Sequence, residues 1–276
     1  QDFTLVFPHI LVNEYSYYAQ DDWKVSNKLT LNIGLRYEYD TPATERDDQW
    51  TNFDITTGKM LIAGFNTDSK TGVQPDRNNF APRVGFAYRL RPGTVVRGGY
   101  GLFYNQNGSE GVVMRRHRQL PFGPINQALI NQFDSNPRKV AQGLDPIPNL
   151  DFASVAANPV GGVMGVAFEF ATGYAQQFNI QIQQELPSDM IFKIGYVGNV
   201  NSRLDTSYNV NQPVPGPGNS NRNRPFDTIA PGVAGITYNT SDANSHYQAL
   251  QTTLERRFAK NLGFLMAYTW SHSIDN

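Results

Sequence analysis

The chain has 276 residues, 23 basic against 24 acidic for a net charge of −1, and is 39 % hydrophobic, 12 % aromatic and only 17 % charged. An average soluble domain is roughly a quarter charged, and a balance this even gives no overall field to recruit nucleic acid or an anionic membrane. Cysteine is absent, which excludes disulfides, thiolate zinc sites and a cysteine nucleophile together.

No run approaches the roughly 18 apolar residues of a transmembrane helix. The start, Gln1-Asp2-Phe3, is neither Met nor a signal peptide, and Ser271 to Asn276 follow directly on a strand-like run. Both ends therefore read as cuts through a longer chain. The informative signal is alternation. Tyr15–Val25 shows it imperfectly, broken by Asp21. In Leu29–Asp40 every odd position is apolar or aromatic and every even one polar, charged or glycine. Successive strand side chains point to opposite faces, so this is a strand with one apolar and one wet face. Its length is close to the nine to eleven or so residues that cross a bilayer at a tilt.

Phe80–Leu90 repeats the pattern, with Val84, Phe86 and Tyr88 on one face and Arg83, Gly85, Ala87 and Arg89 on the other. Thr94–Tyr104 follows more loosely. Tyr174–Leu186 sets Phe178, Ile180 and Ile182 against Asn179, Gln181 and Gln183, and Met190–Asn199 sets Phe192, Ile194 and Tyr196 against Lys193 and Gly195. Ser245–Phe258 keeps only Leu250, Leu254 and Phe258 as an apolar row, and Leu262–Trp270 closes the set. The expected architecture is all-β: about eight antiparallel strands of a transmembrane β-barrel.

Short turns are expected at Ser26-Asn27-Lys28, Arg91-Pro92-Gly93, Pro187-Ser188-Asp189 and Ala259-Lys260-Asn261. Between these hairpins lie long segments, roughly 40 residues over Thr41–Asn79, about 70 over Asn105–Gly173 and about 45 over Val200–Asn244. Loops this long are rare in compact soluble domains. Short turns on one side and long loops on the other are the layout of outer-membrane barrels. Tyr17, Tyr37, Tyr39, Tyr100, Tyr104, Tyr174, Tyr196, Tyr247, Tyr268 and Trp270 gather towards the loop-proximal ends, as an interfacial aromatic belt should. Trp23, Tyr88, Phe192, Phe258 and Phe264 form a sparser belt near the short turns.

Tyr18-Ala19-Gln20-Asp21-Asp22-Trp23-Lys24-Val25 followed by Leu29-Thr30-Leu31-Asn32-Ile33-Gly34-Leu35-Arg36-Tyr37-Glu38 resembles a strand pair of TonB-dependent outer-membrane receptors. Asn79–Tyr88, Leu250–Phe258 and Ala267–Asp275 agree, and together resemble the Oar-like branch. The resemblance implies a barrel of about 22 strands, a plug domain in its lumen, and energy delivered through the TonB complex. No plug, TonB box or terminal aromatic strand is recognised in the chain itself. About eight strands alone would leave two open edges, which are not viable in lipid.

No cofactor or metal is expected. His9, His117, His246 and His272 are scattered without a metal-binding spacing. There is no nucleophile elbow or phosphate loop, and Gly98-Gly99-Tyr100-Gly101 lies within a strand. Asp21 and Asp22 are adjacent strand residues facing opposite ways, so the pair suits no acid–base work and an enzyme is not expected. Asn107-Gly108-Ser109 and Asn239-Thr240-Ser241 match the glycosylation sequon, which carries no meaning in a bacterial protein.

The expected function is outer-membrane transport of a bulky nutrient, with the chain supplying barrel wall and external loops. The alternative is a surface-binding or adhesin barrel without active transport. Asn32, Arg36, Glu38, Arg83, Arg97, Asn179, Gln181, Gln183 and Lys193 are the candidates for facing the lumen. Arg115, Arg116 and Arg118 are the loop residues expected to meet lipopolysaccharide phosphates or an anionic ligand. The other partners expected are outer-membrane lipid, an unidentified nutrient and TonB acting through the plug.

Overall fold

The period-two segments fold as strands in a computed structural model, which describes residues 2–3, 7–105, 113–123, 125–126, 151–216, 223–259 and 262–276. We label the wall strands β1 (Glu14–Lys24), β2 (Leu29–Asp40), β3 (Phe80–Arg91), β4 (Thr94–Tyr104), β5 (Tyr174–Leu186), β6 (Met190–Asn209), β7 (Val233–Ala259) and β8 (Leu262–Asp275). Each pairs antiparallel with the next in chain order, giving an uninterrupted meander from β1 to β8. Its outer edges are β1 and β8, so this section of wall does not close on itself.

Register carries an apolar row across β2 to β5 and a neighbouring one from β5 to β6. Ile33 lies opposite Val84, Val84 opposite Tyr100, Tyr100 opposite Phe178, and Ile180 opposite Tyr196. Ile33 and Ile180 are each 50 % exposed and Val84 49 %. An apolar face this extensive is not tolerated against water, but against lipid tails it costs nothing to expose. The Phe86 and Phe178 rings lie over Gly98 and Gly198 directly across the strands, so ring carbon covers main chain that glycine leaves bare. The third short turn places Ser188 and Asp189 at φ 67° and 59°, and the second uses Gly93 at φ 77°, the left-handed geometry of tight hairpins. The fourth turn falls on residues 260–261, outside the described residues.

Two expectations change here. Val200–Asn244 is not one long loop: β6 continues to Asn209 and β7 begins at Val233, so the hairpin rises beyond the wall. A register shift between Asn201 and Asp205 breaks the period, and strands outside the membrane have no lipid to impose an apolar row. Tyr247 lies opposite Asn199 and Ser273, which puts it on the polar face and out of the aromatic belt.

Among the described residues the clustered hydrophobic core lies in the segments read as loops. Phe53, Met60, Ile62, Val163, Val233 and Ile236, all at most 5 % exposed, pack together with the short helix Phe152–Ala157. They come from the hairpin Thr51–Asp54/Lys59–Ile62, from the second long segment and from the raised end of β7. These parts form a folded cap on the long-loop side of the wall.

Candidate functional site

The polar face of the wall is built by the same register. The nine candidates for it share one face: Arg36 lies across from Ala81, Arg83 from Gly101, Arg97 from Gln181 and Gln183 from Lys193, with Asn32, Glu38 and Asn179 in phase on their own strands. Asn32 donates to Asp22 Oδ1 across β1 and β2, and Arg36 Nε donates to Glu38. Arg97 Nη1 donates to Gln183 Oε1 at 3.3 Å, and Lys193 Nζ stands 3.8 Å from Glu255 Oε2. The Arg83 guanidinium stacks 4.4 Å over the Phe103 ring. Asp22 and Phe103 escaped the reading by sequence because their partners are set by cross-strand register alone.

The apolar face carries few charges. Arg256 on β7 faces that side close to the short-turn end of its strand, and Asp21 faces it from the edge strand β1, directly opposite Ile33. From β2 to β5 the middle of the face is aliphatic and aromatic, which is the depth at which charge costs most.

Above the wall the cap is tied by buried polar side chains. The six-residue strand Gly161–Val166 runs parallel to the raised end of β7 and seals that edge. Its other edge is closed by two amides. Asn52 accepts from Val166 N at 2.7 Å and donates to Val166 O at 3.1 Å; Gln119 accepts from Met164 N at 2.7 Å and donates to Met164 O at 3.0 Å. Each amide turns one N–H and its carbonyl oxygen to this strand, so together they stand in for a neighbouring strand along Met164–Val166. Asn52→Leu or Gln119→Leu is therefore expected to cost about 1–3 kcal/mol by stranding buried main-chain groups. Faster amide hydrogen exchange at Met164 and Val166 is the readout; unchanged exchange in both variants would defeat the edge-capping role.

Arg116 requires a correction. It was expected to reach an external ligand, yet it is fully buried. It sits in the 3₁₀ turn Val113–Arg118, donates to Lys70 O (2.9 Å), Thr71 Oγ1 (2.7 Å) and Ala43 O (3.2 Å), and lies 3.7 Å over the Trp50 ring. Burial lowers its proton affinity, but a guanidinium remains charged at neutral pH. The planar fork and the aromatic seat suit arginine over lysine and join the first long segment to the second. Arg115 and Arg118 are exposed on the same turn. A run of arginines says nothing of which one turns inward, since a 3₁₀ turn points successive side chains in different directions.

Asn239 of the second sequon is 2 % exposed and donates to Gly165 O at 2.9 Å, closed to any modification. The first sequon lies outside the described residues. Among the described residues no His, Asp and Glu cluster could hold a metal ion.

The outer membrane transporter YddB from Escherichia coli superposes with a TM-score of 0.54 at 12 % identity, covering 96 % of this chain and 25 % of its own. The ferric enterobactin receptor PfeA of Pseudomonas aeruginosa gives 0.48 at 11 % identity, over 94 % and 26 %. The pyoverdine receptor FpvA of Pseudomonas aeruginosa PAO1 gives 0.45 at 12 % identity, over 98 % and 26 %. The chain spans about a quarter of the length of these structures. No curated protein matches it in sequence. The outer membrane beta barrel domain family matches residues 1–276 throughout, and with a meander of two-faced strands beneath a folded cap the chain belongs to that family of the bacterial outer membrane.

Proposed function

We propose that the chain is a wall-and-cap section of a TonB-dependent transporter that imports a bulky nutrient across the outer membrane. The observation that carries this reading is the pairing of a continuous polar face with a cap that is folded rather than loose. The polar face then lines the lumen, with Asn32, Arg36, Glu38, Arg83, Arg97, Asn179, Gln181, Gln183 and Lys193 turned towards it, while the opposite face meets lipid. The fold shared with an outer membrane transporter and the strand-pair motif at Tyr18–Glu38 support it. In this reading Arg115 and Arg118 are the cap's cations towards lipopolysaccharide or ligand, without Arg116, and TonB acts through a plug domain lying outside this chain.

The test is made on the full-length protein. It is expected to bind the periplasmic domain of TonB, and its deletion is expected to abolish energy-dependent uptake of a limiting nutrient. Cells that lose only surface adhesion on deletion, with no TonB binding by the purified protein, would favour the surface-binding alternative.

A further inference from the structure

On the long-loop side the apolar face ends in an aromatic girdle. Four residues beyond the row of Ile33, Val84, Tyr100 and Phe178 stand Tyr37, Phe80, Tyr104 and Tyr174, and Tyr17 lies opposite Tyr37. The same parity places all of them on that face. The Tyr37 and Phe80 rings have centroids 4.8 Å apart, Tyr104 and Tyr174 are at 5.9 Å, and Tyr15 stacks on Tyr39 at 6.0 Å. Tyrosines gathered in this way mark the level of lipid headgroups.

Two arginines stand on this girdle, and the main chain is shaped to put them there. Arg77, in the segment before β3, lies 5.7 Å over the Tyr39 ring, and the Tyr37 hydroxyl donates to its carbonyl oxygen at 3.0 Å. Arg203 lies 5.7 Å over the Tyr174 ring. It falls in the register break of β6, without a ladder partner and with φ 56°, a left-handed conformation that residues other than glycine rarely take. A bulge of this kind re-aims a side chain, and here it turns Arg203 out over the aromatic face. Gly173 makes room for it, since a Cβ there would meet Arg203 O at 2.6 Å.

Both arginines are exposed, and among the described residues neither has a carboxylate within ion-pair distance. Elsewhere on the long-loop side Arg46 has Asp47 and Lys70 has Asp68. The acids next to the pair in sequence are turned away from it. Asp76 accepts from Thr172 N at 2.8 Å, and Asp76 and Asp205 both line a recess with Asp40 and Asn105, which continue the polar face. The seats of the two cations, Tyr39 on β2 and Tyr174 on β5, are three strands apart, roughly 14 Å at about 4.8 Å per strand. One phosphate does not bridge that span.

We infer that this patch binds a phosphorylated glycolipid of the outer leaflet, with one phosphate on Arg77, a second on Arg203 and its acyl chains against Leu35, Ile33 and Val84. The inference rests on the apolar face meeting lipid and is independent of what is transported. A planar guanidinium pairs two N–H groups with a phosphate, and the ring beneath holds it at headgroup height. A disaccharide headgroup phosphorylated at both ends supplies the span and the charge. A lipid with a single phosphate reaches one arginine only.

In the experiment the full-length protein in detergent is titrated with diphosphoryl lipid A, and bound lipid is counted by native mass spectrometry. At least one retained lipid A is expected. Its affinity is expected to fall about thirtyfold in Arg77→Gln/Arg203→Gln, the equivalent of roughly 1 kcal/mol for each arginine, and by less in Arg77→Lys/Arg203→Lys. Lipid A stripped of both phosphates should lose affinity to a similar extent, and inorganic phosphate should not displace the intact lipid. Heat-modifiable migration on gels reports barrel assembly separately, and Arg203→Gln alone serves if the double variant does not assemble. Unchanged affinity in an assembled double variant, equal affinity for the stripped lipid, or displacement by inorganic phosphate overturns the inference and leaves the wall reading standing. Loss of binding in Arg115→Gln/Arg118→Gln alone would move the contact to the cap and overturn it too. Failure of the unsubstituted protein to migrate as an assembled barrel overturns both.

Discussion

Replacing Arg116 by leucine is expected to open the cap while the wall still assembles. The substitution leaves Lys70 O, Thr71 Oγ1 and Ala43 O without this donor and removes the cation from the Trp50 ring. Each buried acceptor stranded in this way costs about 1–3 kcal/mol, and the lost stacking adds to it. With some relaxation and water entry the total is expected at about 3–5 kcal/mol, a large share of what a small folded body possesses. Limited proteolysis of the assembled protein reads it directly: cleavage within residues 41–79 should accelerate strongly in Arg116→Leu, while heat-modifiable migration is kept. Arg116→Lys should fall between, because the charge is retained and the planar fork is lost. Equal protease resistance in all three proteins would show that the clasp holds nothing.

The second large effect concerns the wall, and neighbouring residues supply its control. Ile180 and Gln181 share strand β5 at almost the same depth but face opposite ways. Arginine at mid-bilayer on the lipid face costs about 2–4 kcal/mol, whereas on the lumen side it stays wet. Ile180→Arg is therefore expected to abolish assembly into the outer membrane, and Gln181→Arg to be tolerated. The measurement is the heat-modifiable fraction in isolated outer membranes. Comparable loss at Ile180 and Gln181 would sink the assignment of faces.

The wall was readable from the sequence to a degree the cap was not. Leu29–Asp40, Thr94–Tyr104 and Tyr174–Leu186 have the bounds that alternation alone assigns. Lipid on one side and water on the other imposes a period of two wherever the chain crosses. The period fails where that asymmetry ends, which is why the continuation of β6 to Asn209 and the start of β7 at Val233 were hidden. It fails too for Thr51–Asp54, four residues all buried on both faces, where no residue is left to alternate with.

The candidate residues divide in the same way. That Arg83, Arg97 and Gln181 lie on one face follows from parity within each strand plus pairing of neighbours. That Arg83 stacks on Phe103, or that Lys193 meets Glu255 and not the residue directly opposite, depends on register between strands and on rotamers. Register is a long-range quantity. The roles of Asn52, Gln119 and Arg116 are more distant still, because the partners that define those roles lie 45 or more residues away along the chain.

By itself, then, the sequence determined a membrane wall: eight crossings, two faces and a side for the short turns, since each follows from local alternation and turn residues responding to lipid and water. Only the tertiary structure decided that the long segments fold into one cap and that the middle arginine of Arg115-Arg116-His117-Arg118 is its buried clasp. The reason is physical. Lipid sorts residues one strand at a time, whereas a buried cation is stable only where distant carbonyls and an aromatic ring converge on it.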